Sequence, residues 1–242
     1  SALHALRFAK LLKKIRIGIF VITDSSVSGK FSKTLITQKA LKAKHVVSLH
    51  GGNTEGSVIT SRSGSASYNY SLKLIDSSCS ENVAIASSHF FKAISSVLDI
   101  GKNDEKSVIA PYSADFQSNI FKMSAYGSAK ISVRFNAVED FEKVDQRIRK
   151  ITTLPRKLAK ILQSQLDGGI TRQPLPANNQ SKELFNRLCK IAKSVDSAII
   201  EEHRWSSADI CNIPMNISRV DGLGPMGGFD KLKSEFILRQ SL

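Results

Sequence analysis

Two different strand patterns in this chain most constrain its fold. Residues 17–22 form a continuous apolar run, which is typical of a strand buried on both faces of a parallel sheet. Residues 68–74 instead alternate apolar and polar side chains, which is typical of a half-buried antiparallel strand. We therefore expect two sheets of different character in the 242 residues.

Helices and strands alternate through the first fifty residues. The predicted elements are helices over residues 2–14 and 31–43 and strands over residues 17–22 and 46–49. This alternation favours an α/β sheet. Ligands of such sheets gather at the carboxyl ends of the strands, so residues 24–26 and 50–52 are the first candidate site.

The pattern changes after a Ser/Gly-rich boundary at residues 61–67. The following segment predicts strands over residues 68–74, 107–112, 121–126 and 130–135, a turn at Gly127-Ser128, and helices over residues 83–100 and 138–150. This order is typical of a separate α+β domain inserted into the first domain. We therefore assign residues 61–168 to the inserted domain and residues 1–60 and 169–242 to the α/β domain.

The last third returns to helices and short strands around a glycine-rich run. The predicted elements are a helix over residues 181–194, a strand over residues 198–200 and a terminal helix over residues 231–242. The glycine-rich run, residues 221–228, lacks the spacing of a phosphate-binding loop, and Pro225 removes one backbone amide. A tight structural turn is the better interpretation.

Charge and cysteine content limit the function classes. The 35 Lys and Arg against 21 Asp and Glu give a net charge of +14, which suits an anionic partner. The basic residues are spread along the chain, so nucleic-acid binding is only a weaker alternative. The longest apolar run is too short for a membrane helix of roughly 20 residues, so no membrane partner is expected. Three distant cysteines without a CxxC pair favour free thiols and a cytoplasmic location.

Three polar residues follow the first two predicted strands. Ser25 and Ser26 lie after the first strand and His50 lies after the second. A serine and a histidine at neighbouring strand ends form a nucleophile and base if they come within hydrogen-bond reach. No GxSxG sequence surrounds the serines, so this pair is a candidate on position alone.

Four segments together resemble the di-zinc exopeptidases and deacylases, the family of glutamate carboxypeptidase, acetylornithine deacetylase and aminoacylase. They are residues 14–29 (KIRIGIFVITDSSVSG), 45–74, 110–135 and 206–236. The resemblance implies an α/β fold with a zinc-exopeptidase-like mixed sheet flanked by helices. It also implies an inserted α+β lid domain that commonly mediates homodimerisation, and an amino-terminal part with a His-x-Asp ligand motif ahead of residue 1.

The chain departs from this family where the zinc ligands would lie. The family has a general-base Glu and a ligand Glu after the aspartate, and this chain has Ser25 and Ser26 after Asp24. The position of the next acidic ligand falls on His50, and that of the last histidine ligand falls on Lys231. The family features that persist are Asp24, Asn119, Asp209 and the glycines near the carboxyl end.

These substitutions favour a protein without zinc. Hydroxyls are poor zinc ligands, a lysine ammonium has no lone pair at neutral pH, and a more positive pocket repels a dication. Loss of the general base alone lowers the reaction rate by roughly 10²–10⁴-fold. We therefore expect no zinc cofactor and a catalytically inactive binding or scaffolding relative of the metallopeptidases.

The ligand expected for this relative is an anionic small molecule or a peptide carboxylate. Residues that could line the cleft are His50, Ser25, Ser26, Asn119, Asp209 and Lys231. Arg172 is a further candidate, because a guanidinium binds a carboxylate with two parallel hydrogen bonds. The alternative function is metal-free amide hydrolysis by Ser25 or Ser26 with His50.

Overall fold

The computed structural model describes residues 6–11, 13–52, 55–102, 106–229 and 234–241. Its helices and strands are α1 (Lys33–Ala40), β1 (His45–Val47), β2 (Ser57–Arg62), β3 (Gly64–Leu74), α2 (Glu81–Lys102), β4 (Ser107–Asn119), β5 (Ser124–Phe135), α3 (Val138–Thr152), β6 (Leu162–Arg172), α4 (Asn179–Lys193), β7 (Ile200–Arg204), β8 (Ser218–Val220), β9 (Gly227–Phe229) and β10 (Glu235–Ile237). Mixed sheets and helices of this kind confirm the predicted α/β class with an α+β part.

The chain divides into two compact units. Unit 1 comprises Ser1–Thr60, Ala177–Glu202 and Asn212–Leu242, and unit 2 comprises Ser61–Pro176 and His203–Cys211. Unit 2 begins where the predicted inserted domain begins. It continues beyond residue 168 because β6 runs to Arg172.

Unit 2 is built on a four-stranded antiparallel sheet with the strand order β4-β5-β3-β6. Alternation along β3 buries Tyr68, Tyr70 and Leu72 on one face and leaves Asn69 exposed on the other. This pattern confirms the half-buried strand predicted over residues 68–74.

Helices α2 and α3 supply the other half of the unit 2 core. Their buried apolar residues are Val83, Ala86, Phe90, Ala93, Val97 and Ile100 from α2 and Phe141, Val144 and Ile148 from α3. Helix α2 is long and apolar enough, by length and composition alone, to cross a membrane. The buried face of α2 packs in this core, and core helices of soluble proteins can have the same length and composition as a membrane helix.

The prediction of three strands between residues 107 and 135 is wrong, because β4 and β5 form one long hairpin. The chain turns at Met123, which has a φ of 44° and donates its backbone N–H to the Ile120 carbonyl. Gly127 lies inside β5 and not in a turn. A Cβ there would meet the Phe90 ring at 2.5 Å, so tight helix–sheet packing accounts for this glycine.

Unit 1 contains short strand pairs: β1 with β8 in parallel and β9 with β10 antiparallel. The strand predicted over residues 17–22 is wrong, because in the described chain these residues have no ladder partner. Their apolar side chains are largely exposed, with Val21 at 82%. A long apolar run becomes a buried strand only when neighbouring strands exist to receive its hydrogen bonds.

Both terminal helix predictions need correction. Within the range predicted for the first helix, residues 6–8 are helical and the chain then turns at Lys10, which has a φ of 56°. The rest of that prediction includes residues 2–5 and 12, which lie outside the described residues. In place of the terminal helix, Glu235–Ile237 forms β10 and Arg239–Ser241 a 3-10 turn.

Candidate anion-binding site

The sequence-predicted site residues fall in both units. Ser25, Ser26 and His50 lie in unit 1, and Asn119, Arg172 and Asp209 lie in unit 2. Lys231 lies outside the described residues. Asn119 ends β4, and its side chain accepts a hydrogen bond from the Lys122 backbone at 2.9 Å, which stabilises the hairpin turn.

The unit 1 residues are not joined as a nucleophile and base. Ser25 and Ser26 begin a short 3-10 helix, and His50 follows β1. Over the described ranges, no hydrogen bond links the His50 ring to either serine hydroxyl. Asp24 instead has a structural role, since its carboxylate accepts the backbone N–H groups of Phe31 and Ser32 at 2.8 and 2.9 Å.

The donors in this part of unit 1 do not fit a zinc pair. Ser25 and Ser26 offer hydroxyls and His50 one imidazole, whereas hydrolytic zinc needs several nitrogen, sulfur or carboxylate ligands. Among the residues that the structure describes, no group of three or more His, Cys, Asp and Glu side chains could hold a metal ion.

Two of the site residues in unit 2, Arg172 and Asp209, are brought together at the end of β6. Arg172 ends this strand, and its guanidinium donates to the Asp209 carboxylate at 2.7 Å. Asp209 begins a 3-10 helix, Asp209–Asn212. The pair is well shielded from solvent, with 8% and 14% of the two side chains exposed.

Strand register adds a second arginine to this pair. Ser65 of β3 lies opposite Arg134 of β5 on one side and opposite Arg172 of β6 on the other. Residues directly opposite in a sheet point to the same face, so both arginines flank Ser65. A register shift between Ser65 and Ala66 leaves Thr171 as the extra residue of β6.

Hydroxyl groups connect the members of this cluster. The Arg134 guanidinium donates to Ser207 Oγ at 3.0 Å. Ser65 Oγ lies 3.0 Å from Ser207 Oγ and 2.8 Å from Thr171 Oγ1. The network holds Arg134 in one orientation at this end of the sheet.

Arg134 carries a charge that the cluster does not neutralise. Burial lowers the pKa of the Arg134 guanidinium, and the positive charge of Arg172 lowers this pKa further. Its hydrogen bond goes to the neutral Ser207, and no carboxylate in the described part of the chain pairs with it. A half-buried guanidinium beside a second cation is stabilised by an anion, and its remaining N–H groups are suited to bind one.

The same face of the sheet has room for a small molecule. An open hollow of about 230 Å³ lies further along it and includes Lys130 of β5. Its other lining residues are Asn69, Tyr70, Ser71, Ser113, Tyr126, Ser128, Ala129, Gln165 and Asp167. Most of the lining residues have polar side chains, which are suited to hydrogen bonding with a ligand.

Comparison with known proteins gives structural similarity alone. No family model matches the chain, and no curated protein matches it. Among solved structures, aminopeptidase PepT from Bacillus cereus superposes with a TM-score of 0.71 at 10% identity, over 99% of this chain and 64% of that one. A tripeptidase from Staphylococcus aureus gives 0.69 at 12% identity, over 89% of this chain and 57% of that one.

Two further structures extend the similarity. The YXEP protein of Bacillus subtilis, a dinuclear metal-binding M20 peptidase, gives a TM-score of 0.59 at 11% identity, over 90% of this chain and 58% of that one. A hydantoinase/carbamoylase-family amidase from Burkholderia vietnamiensis gives 0.52 at 13% identity, over 73% of this chain and 45% of that one.

The chain has the metallopeptidase/amidohydrolase fold. This finding confirms the fold expected from the four sequence segments. The chain spans less than two thirds of the length of these structures, and identities of 10–13% extend the likeness to the fold and no further.

Sequence reasoning missed Arg134, Ser65 and Ser207. The Val-Arg ending of the third resembling segment was visible, but nothing local distinguishes Arg134 from any other strand arginine. The available signal was the alternation of polar residues at 130, 132 and 134, which places Arg134 on the face away from the core.

Proposed function

We propose that Arg134 binds a small ligand by the ligand's carboxylate group. We also propose that the chain does not hydrolyse this ligand with zinc. One observation carries this proposal. The half-buried Arg134 lies beside the cation of Arg172 and has a neutral hydroxyl, Ser207, as its hydrogen-bond acceptor. Because Asp209 is already bound to Arg172, a ligand carboxylate would supply the missing negative charge.

The cluster geometry supports a carboxylate over a bulkier anion. A guanidinium presents N–H groups in a planar fork that matches the two oxygens of a carboxylate. The hydroxyl protons of Ser207 and Ser65 are used within the network with Thr171, so these serines orient Arg134. Short peptides carry a terminal carboxylate, and the fold neighbours include a tripeptidase and an aminopeptidase.

The absence of hydrolysis is proposed on chemical grounds. Ser25 and Ser26 offer hydroxyls at the family positions of the general base and a ligand carboxylate. We therefore propose a peptidase-fold protein that recognises a carboxylate ligand and releases it unchanged.

Binding of a tripeptide with a free terminal carboxylate, measured by calorimetry against its terminal amide, tests the proposal. We expect the amide to bind at least about 10-fold more weakly, since a charged hydrogen bond contributes about 1.5–3 kcal/mol. Arg134→Met is expected to weaken binding of the free acid by roughly 10–100-fold.

The matched control is Lys73→Met, which removes one exposed positive charge from the same strand face as Ser65. It is expected to leave the affinity within about 3-fold of wild type, as screened surface charges contribute little. Equal binding of acid and amide, or equal loss in both variants, contradicts carboxylate recognition. Zinc-stimulated cleavage of the tripeptide contradicts the proposed lack of hydrolysis.

Three further expectations stay predictions. A homodimer through the inserted domain follows from the family resemblance. A cytoplasmic location is supported by Cys79, Cys189 and Cys211, which form no disulfide in the described part of the chain. Nucleic-acid binding rests on the net charge of +14 alone.

A further inference from the structure

A second polar network in unit 2 shares no residue with the anion-binding site. The hydroxyl of Ser61, on β2, lies 2.9 Å from Nδ1 of His203, on β7. The other ring nitrogen, Nε2, lies 3.2 Å from the Ser63 hydroxyl oxygen. Ser63 in turn donates its hydroxyl proton to Asn136 Oδ1 at 2.7 Å.

The direction of the Ser63 hydrogen bond selects one tautomer of the neutral imidazole. Because Ser63 gives its proton to Asn136, its oxygen accepts a proton from Nε2 of His203. A neutral imidazole protonated at Nε2 has its lone pair on Nδ1. The Ser61 hydroxyl therefore donates to Nδ1, which is the relation of a nucleophile to its general base.

The residues of this network differ in solvent exposure, and this difference decides which of them a substrate can reach. Ser63 is 0% exposed, so it can orient the imidazole but cannot meet a substrate. Ser61 is partly exposed and His203 is exposed, so both can be approached from solvent. The indole of Trp205, 39% exposed, contacts the His203 ring edge-on with centroids 5.8 Å apart and offers an apolar surface beside the serine.

The geometry points to Ser61 as a nucleophile that takes an acyl group from a carboxylic ester, with His203 as its general base. The Ser61 oxygen attacks the ester carbonyl as its proton passes to Nδ1 of His203. The carbon–oxygen bond to the leaving alcohol then breaks, and the alcohol takes that proton. Water hydrolyses the serine ester by the same route, giving a carboxylic acid and restoring the Ser61 hydroxyl.

Ser63 and Asn136 are positioning residues in this scheme. They hold the imidazole with its basic nitrogen toward Ser61, as the third member of a catalytic triad does. This activity needs neither zinc nor the ligand carboxylate at Arg134, so it extends beyond the proposed function.

The test uses p-nitrophenyl acetate as an activated ester, with release of nitrophenol and mass-spectrometric peptide mapping of the acetylated protein as readouts. We expect acetylation at Ser61 of the wild-type chain. Ser61→Ala and His203→Ala are each expected to lower the rate by about 10²-fold, and added imidazole is expected to restore part of the His203→Ala rate.

Matched controls distinguish this site from background reactivity. Ser95→Ala changes an exposed serine of α2 and His45→Gln an exposed histidine of β1, and both are expected to react like wild type. Acetyl groups spread over other residues, or a His203→Ala rate equal to that of His45→Gln, overturn the proposal. The mapping needs no variant, so it decides the question even if a substitution impairs folding.

Discussion

The ion pair between Arg172 and Asp209 yields the most quantitative prediction. Asp209→Asn keeps the side-chain shape but removes the charge that lies 2.7 Å from the Arg172 guanidinium. Two unit charges about 4 Å apart interact by about 4 kcal/mol at an effective dielectric of about 20. Removing one partner of a buried pair costs about 3–5 kcal/mol, because the other charge stays desolvated.

We therefore expect Asp209→Asn to lower the free energy of unfolding of unit 2 by about 3 kcal/mol. The nearby cation of Arg134 adds to the loss, because it repels the Arg172 guanidinium. Urea titration followed by tryptophan fluorescence measures unit 2, because the one tryptophan of the chain, Trp205, lies in it.

The exposed pair of Asp99 and Lys102 provides the matched control. Its side chains are 54% and 72% exposed, so Asp99→Asn is expected to cost less than about 1 kcal/mol. The double variant Asp209→Asn with Arg172→Met is expected to recover part of the Asp209→Asn loss, since it also removes the buried guanidinium charge. Equal shifts for Asp209→Asn and Asp99→Asn would refute the reasoning.

Two further predictions concern the tyrosines of β3 and their partners. Tyr70→Phe is expected to raise the free energy of unfolding by up to about 1 kcal/mol, since the buried hydroxyl has no hydrogen-bond partner in the described chain and burial raises the pKa of Tyr70 to about 12. Tyr68→Phe is expected to lower the free energy of unfolding by about 2 kcal/mol, since the variant loses the 2.6 Å hydrogen bond from the Tyr68 hydroxyl to Asp145. Equal urea midpoints for the two tyrosine variants would contradict this contrast. Burial raises the pKa of Asp145, but hydrogen bonds from Arg149 and Tyr68 outweigh it and lower this pKa overall. The stabilisation from a lowered folded-state pKa is complete above the unfolded value of about 4 and is lost as the pH falls through the folded-state pKa. The melting temperatures of wild type and Asp145→Asn should therefore differ at pH 6 and converge as the pH falls below about 4. A difference independent of pH would count against this assignment.

Local sequence patterns predicted the elements of unit 2 because the buried positions of each strand or helix recur at regular intervals along that one segment. The alternation of Tyr68, Tyr70 and Leu72 follows directly from one buried sheet face, and the apolar spacing of α2 and α3 follows from the same core. Gly127 was misinterpreted as a turn because the reason for the glycine, the ring of Phe90, lies on a helix 37 residues earlier.

Long-range pairing explains what the sequence could not predict. The apolar run of residues 17–22 carries no information on whether partner strands exist, so its assignment to a sheet had no local check. Arg172 and Asp209 were both candidates, and their contact 37 residues apart became visible only in the structure. Arg134 joins them through strand register and a bulge at Ser65, neither of which is encoded by residue type alone.

The outer strand of the unit 2 sheet has a consequence for self-association. β4 is an end strand in the order β4-β5-β3-β6, and Pro111 sits where its register shifts. Proline lacks an N–H, so a strand that adds to this edge loses a ladder bond there. An uninterrupted edge remains from Ser113 to Asn119, so an added strand can form a continuous hydrogen-bond ladder only along this short stretch.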